Sequence, residues 1–294
     1  LYRTRRGLVM PSAQACGIPA RTPGIIGTPE SSALRPARAS NYTPFVSKPR
    51  RESPMPAKLK PAESDPTAPQ FPGFRPAAFA FFRDLTVQND KDWFQANKSA
   101  YEVEVQRPMA VLVADLVAEF ARRGVPLTGD AKKSVFRIHR DVRFSNDKSP
   151  YKTHAGAALT RDGGKMSPGV VYFHLDPEGS FVAAGFYSPE PPVLAKLRAA
   201  VVRKPNEFLG VVGGLVEVEL PLSREDALKR TPRGFEASAG GPVAEYLKLK
   251  SLVVSRALTP KDLLSPVLVA TVAKFAVAAL PLLNFGWAAI DAAD

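Results

Sequence analysis

Near residue 134 the apolar residues change their spacing from about 3.6 to about 2, and this switch frames every reading of the fold. Upstream the pattern is helical. Over Pro76–Val87, Phe79, Phe82 and Thr86 share a face, with Phe81 and Leu85 beside them. From Asp90, the residues Trp93, Asn97, Tyr101 and Val105 recur at every fourth position, and Met109, Leu112, Leu116 and Phe120 extend the stripe. Pro108 interrupts it, so it begins a new helix or kinks the old one, and Gly124 and Pro126 end it. Aromatic residues at helical spacing are core residues first.

From Ser134 the alternation predicts a strand with two unlike faces. Phe136, Ile138, Val142 and Phe144 lie on one face, with Arg140 the polar intruder; Arg137, His139, Asp141 and Arg143 lie on the other. Ser145–Pro150 is a loop of turn residues. Short strands follow at His154–Leu159, Val170–Leu175 and Ser180–Tyr187, separated by turn residues at Arg161–Gly164 and Asp176–Gly179. Their close spacing predicts an antiparallel meander. Helical patterning returns at Pro192–Val202, Val243–Ser255 and Pro260–Leu280, the last apolar almost all round and so buried. The expected class is α+β, an antiparallel sheet meander packed against helices over 71–294 as a single domain.

The first 70 residues differ in kind. They hold 11 Lys+Arg and 4 Asp+Glu, a net of +7 out of the chain's +12, and 12 of its 29 prolines. Such a segment buries too little apolar surface to offset chain entropy and is expected to be a disordered tail. It is Arg-, Ser- and Ala-rich like a transit peptide, yet its prolines prevent a continuous amphipathic helix. A start at Met10 or Met55 and a plain tail are the alternatives to targeting. The high isoelectric point is thus largely a property of the tail and does not by itself make the folded part a nucleic-acid binder. Cys16, the chain's one cysteine, excludes an intramolecular disulfide framework. Val267–Pro281 is short for a membrane span and carries Lys274, so the expectation is a soluble cytoplasmic protein with no membrane partner.

The chemistry-bearing residues gather in the sheet region. All three histidines, His139, His154 and His174, lie there, and residues 132–154 hold seven Lys/Arg against Asp141 and Asp147. Tyr172 and His174 alternate with Val171, Phe173 and Leu175, so they would join the Arg137/His139/Asp141/Arg143 face, overhung by Lys148, Tyr151 and Lys152. Arg140 and His154 complete the candidate set. Such a surface suits an anion, held by guanidinium forks and ammonium groups, with His139 or His174 moving a proton and Asp141 orienting it. The competing readings are a structural ion-pair lattice and a salt-sensitive nucleic-acid or protein-binding module. A metal held by His139 and Asp141 with His154 or His174 is disfavoured by the flanking arginines, and no metal or cofactor is assigned. A second basic cluster, Lys229, Arg230 and Arg233, surrounds Pro232 and Gly234. Asn97 and Lys98 stand near a helix end. Gly-rich phosphate loops and nucleophile elbows are absent from the sequence.

The run FRIHRDVRFSNDKSPYKTH over 136–154 resembles the hallmark of a family of conserved hypothetical proteins, domain of unknown function 2461. NDKDWFQANK over 89–98 is similar to the family's asparagine-rich N-x-x-x-W-F-x-x-N-K segment, and LKRTPRGF over 228–235 is similar to a later element. Asp90 and Lys91 stand where the family usually continues its asparagines. The resemblance covers about 71–285, implies one domain, and brings no activity with it.

Overall fold

A computed structural model describes residues 70–143 and 145–292; the expected tail over 1–70 lies, but for Gln70, outside the described residues. The first helix, α1 (Pro76–Val87), starts with proline, whose fixed φ suits the first turn, and buries Ala78, Phe81, Phe82 and Leu85. The next, α2 (Lys91–Tyr101), is capped by Asp90, whose carboxylate accepts the Trp93 N–H at 2.8 Å. Its end passes into a π-helical segment, Glu102–Gln106, and then into α3 (Arg107–Arg122), with Pro108 in the first turn. The wider π turn sustains the four-residue spacing read from the sequence. Tyr101, Val105, Met109, Leu112, Leu116 and Phe120 all face the core, while Trp93 and Asn97 are half-buried.

Four strands make one antiparallel sheet in chain order: β1 (Ala155–Thr160), β2 (Val170–Leu175), β3 (Phe181–Phe186) and β4 (Leu252–Ala257). Their register pairs Gly156 with His174, His174 with Phe181, and Ala184 with Val254. Alternation divides the sheet into two sides. Ala157, Leu159, Val171, Phe173, Leu175, Val182, Ala184, Phe186, Leu252 and Val254 join the main core under the helices. Phe181, Ala183 and Val253, with Tyr172 and Tyr187 against them, form a small separate cluster on the other side. The class is therefore α+β, with the helices on one face of the sheet.

Between β3 and β4 run α4 (Pro191–Arg203) and α5 (Pro205–Glu217), followed by the one-turn α6 (Ala244–Leu247). The helix expected over Val243–Ser255 is thus mostly something else. It stops after one turn, and Leu252-Val253-Val254 pairs with β3 instead. β-branched residues beside an unfilled strand edge override a helical stripe, because the sheet supplies both ladder hydrogen bonds and burial. After the short α7 (Pro260–Leu263) comes α8 (Val267–Asp291), longer than the expected Pro260–Leu280 segment. It runs through Pro281 to Asp291. It has 25 residues, and an 18-residue stretch of it reaches a mean hydropathy of 1.9, which would suit a membrane span by length and composition. Here it packs on β3 and against α3, α4 and α5, burying Phe275, Leu282, Leu283 and Trp287 among others.

Four contacts fix α8 to the sheet and to the β1–β2 connection. Gly286 lies so close to Phe186 that a Cβ on it would stand 2.1 Å from the ring. Trp287 donates its indole N–H to the Pro168 carbonyl at 3.0 Å, ahead of β2, and Arg161 reaches Asp291 at 2.6 Å while lying over the Trp287 ring. Gly286→Ala should therefore destabilise the protein by about 1–3 kcal/mol through overpacking, although alanine is the better helix former. Gly213→Ala in α5, where a Cβ meets nothing within 4 Å, should instead gain roughly 0.5–1 kcal/mol. Urea unfolding of both variants checks the pair of opposite signs.

Candidate functional site

The side of the sheet without helices carries a cluster of ionisable and aromatic side chains. Successive outward positions of β2 and its extension are Tyr172, His174 and Asp176. Since Ala155 pairs with Leu175, the same register sets His154 across from Asp176 and diagonal to His174. His174 is 3% exposed and lies between two rings, His154 at 4.6 Å between centroids and Phe181, stacked, at 4.6 Å. The Tyr172 hydroxyl is 3.1 Å from His174 Nδ1. The Asp176 carboxylate is 3.6 Å from His174 Nε2 and accepts the Glu178 N–H at 2.8 Å through its other oxygen. Burial pushes the Asp176 carboxyl up, but the His174 ring, the Glu178 N–H and the charge of both imidazoles outweigh it and leave it below its ordinary value.

Glycine makes this arrangement fit. Gly156 stands opposite His174 on β1, and a Cβ there would lie 2.4 Å from the Tyr172 oxygen. Any larger residue would displace the phenol from the imidazole.

Beyond Tyr172 the face becomes basic. Phe136 meets the Tyr172 ring edge-on at 6.0 Å, and the ammonium groups of Lys152 and Lys165 lie over Phe136 at 5.5 and 5.1 Å. Lys165 donates to the Val135 carbonyl at 2.6 Å. Burial and the nearby Arg137 guanidinium lower its pKa. Arg137 itself is exposed.

Residues 134–143 do not form the regular strand that the alternation predicts. They touch the sheet edge through bridges at Val135–Ala157 and His139–Tyr151 only. Between these bridges three residues, 136–138, oppose five, 152–156, so the partner chain bulges at Thr153 and His154 and turns His154 toward β2. The mismatch also splits the expected apolar face. Ile138 enters the core while Phe136 packs on the opposite side against Tyr172.

The expected row Arg137, His139, Asp141 and Arg143 is accordingly broken up. Asp141 and Arg143 close on each other, with guanidinium contacts of 2.9 and 2.7 Å and the Arg143 N–H at 3.3 Å, which holds the Asp141 carboxyl down at about 2. Arg140 pairs with Asp147 and donates to the Ser149 carbonyl at 3.2 Å, and Lys148 donates to the Val142 carbonyl at 3.1 Å. Within the 140–149 loop two of the three cations thus pair with its two acids, and the third, Lys148, is held by a backbone carbonyl. His139 meets Tyr151 at 5.2 Å and Phe94 at 6.2 Å, and Tyr151 is buried, stacked on Phe94 at 4.1 Å. The carboxylate that accompanies His174 is Asp176, not Asp141.

Of the sequence-derived candidates, the structure groups Tyr172, His174, His154 and Lys152 on one side of the sheet, with exposed Arg137 near Lys165. His139, Tyr151, Arg140, Asp141, Arg143 and Lys148 stand in other settings. Asp176 and Lys165 were not expected. The spacing His174-x-Asp176 is the signal that would have found the first; Lys165 has none, since only the folded loop returns it to Val135. In the basic element 228–235, Phe235 packs on the core and Lys229, Arg230 and Arg233 are exposed.

A side chain far upstream holds this edge in place. Asn89 accepts the Tyr151 N–H and donates to the Tyr151 carbonyl, both at 3.0 Å, as a neighbouring strand would. Its amide joins the Phe94–Tyr151 stack in linking the 89–98 and 136–154 segments. Asn97 by contrast turns inward on its own helix, donating to the Trp93 carbonyl at 2.9 Å. Asn89→Ala should cost about 1–3 kcal/mol, because it leaves two backbone groups at a half-buried edge without partners. Amide exchange should accelerate at Tyr151 and Lys152 more than in β3.

The family described as conserved hypothetical protein, DUF2461, matches residues 77–285. No curated protein and no solved structure matches the chain.

Proposed function

The chain belongs to the DUF2461 family, and from its geometry we propose that it binds a small anionic molecule, such as a phosphorylated metabolite, on the helix-free side of its sheet. The observation that carries this reading is the convergence of Lys152 and Lys165 on Phe136, which meets Tyr172 next to the His154/His174 pair, with the exposed Arg137 near enough to Lys165 for its charge to be felt there. The guanidinium offers a planar fork for a phosphate or carboxylate, and the two ammonium groups offer point charges. The Phe136 and Tyr172 rings supply an apolar wall against which the rest of a ligand can lie. Neighbouring cations this close repel one another, and the lowered pKa of Lys165 reflects that in part; a bound anion relieves the repulsion.

The rival reading, a structural ion-pair lattice, rests on Asp141 and Asp147; these acids pair instead with Arg143 and Arg140 in the 140–149 loop.

A thermal-shift screen of phosphorylated and carboxylated metabolites on the full chain tests the proposal, followed by titration calorimetry of any hit. A ligand at 100 times its Kd should stabilise the protein by about 2.7 kcal/mol. Arg137→Ala and Lys152→Ala should each weaken binding about 10-fold, the effect of one lost charge-assisted hydrogen bond. Arg233→Ala, in the separate basic loop, should leave it unchanged. If wild type and Arg137→Ala respond alike to every compound, the reading fails.

A further inference from the structure

We infer that His154, His174 and Asp176 form a binding site for a divalent transition-metal ion. Each of the three residues offers a ligand atom, and these atoms lie within 4.8 Å of one another. The inference stands on this cluster alone and holds whether or not the adjacent basic surface takes an anion.

The spacing favours a shared ion over a direct contact. At 3.6 Å, His174 Nε2 and Asp176 Oδ2 are too far apart for a good hydrogen bond. Two ligands each about 2.1 Å from one ion stand roughly 3.0–3.4 Å apart at octahedral or tetrahedral angles. A small side-chain adjustment therefore brings the pair onto a metal, and His154 closes the third side from the neighbouring strand.

The surroundings are those of a prepared ligand set. The Tyr172 hydroxyl meets His174 at Nδ1, which leaves Nε2 as the ligand atom and fixes the ring's orientation. The Glu178 N–H holds Asp176 Oδ1 and leaves Oδ2 turned toward His174. Phe181 stacks on the opposite face of the His174 ring and prevents it from swinging away. All three ligands sit on or beside paired strands, not on long loops. Two imidazoles and one carboxylate suit zinc, iron(II) or cobalt(II) better than magnesium or calcium, which prefer oxygen ligands. Three protein ligands leave coordination positions for water or for an anionic group. The cations Lys152 and Lys165, whose ammonium groups are directed onto Phe136, would accompany such a group and not replace the metal.

The test uses full-length, tag-free protein stripped with a chelator and titrated with cobalt(II) chloride and, separately, zinc chloride. Calorimetry should give one tight equivalent, and cobalt should develop the visible absorption of a nitrogen- and oxygen-ligated ion. His154→Gln, at a half-buried position, and Asp176→Asn should each weaken binding at least about 10-fold, and Tyr172→Phe should weaken it by about 10-fold. Asp141→Asn should leave it unchanged. Circular dichroism of each variant separates lost ligation from lost fold. Wild type that takes up less than one equivalent, or folded His154→Gln and Asp176→Asn proteins that bind like wild type, would overturn the site. Running the phosphate-ligand titrations on chelator-stripped protein keeps the outcome for the anion surface separate.

Discussion

One-sided burial of a small sheet governs this molecule. The helices cover only one face of β1–β4, and α8 supplies much of that cover by pressing Gly286 against Phe186. Everything on the second face must therefore be satisfied locally, by ring stacking, by pairing within the sheet or by solvent. Phe181, Ala183 and Val253 make a small apolar patch there, and Tyr172, His174 and Asp176 form a polar row beside it. The same constraint explains why His174 is almost fully buried without lying in the main core.

Charge on this edge sorts by distance along the chain. Pairs that are close in sequence, Asp141 with Arg143 and Arg140 with Asp147, neutralise one another inside a single loop. Groups brought together from distant segments, Lys152 and Lys165, share one sign over Phe136, with the Arg137 charge felt at Lys165. Local pairs form at little entropic cost, since the loop is short. A gathering of like charges needs the tertiary fold to hold it, and that makes it the more informative feature about function.

Much of the architecture was legible in the residues. The Pro76–Val87 helix and the Val170–Leu175 strand were read with the bounds the structure shows, and the outward direction of Tyr172 and His174 followed from period-two alternation. The misreadings have a common origin in contacts that no local pattern encodes. Leu252–Ala257 became a strand because β3 had an edge to fill. The 134–143 segment kept its alternation only in part, because its partner contributes five residues where it has three. That mismatch sent Phe136 outward and moved His139 to the Phe94–Tyr151 stack. At the site, His154, His174 and Tyr172 were legible as a group, whereas Asp176 was read as a turn residue and Lys165 depended on loop closure.

The fastening of the β1–β2 connection by Trp287 and Asp291 has a kinetic corollary. The loop that delivers Lys165 receives its last anchor from a residue 130 positions downstream. During synthesis the β1–β2–β3 hairpins can zip up early, but this corner lacks its anchors until α8 has emerged and docked. The position of Lys165 is thus fixed late, and reports that α8 has docked.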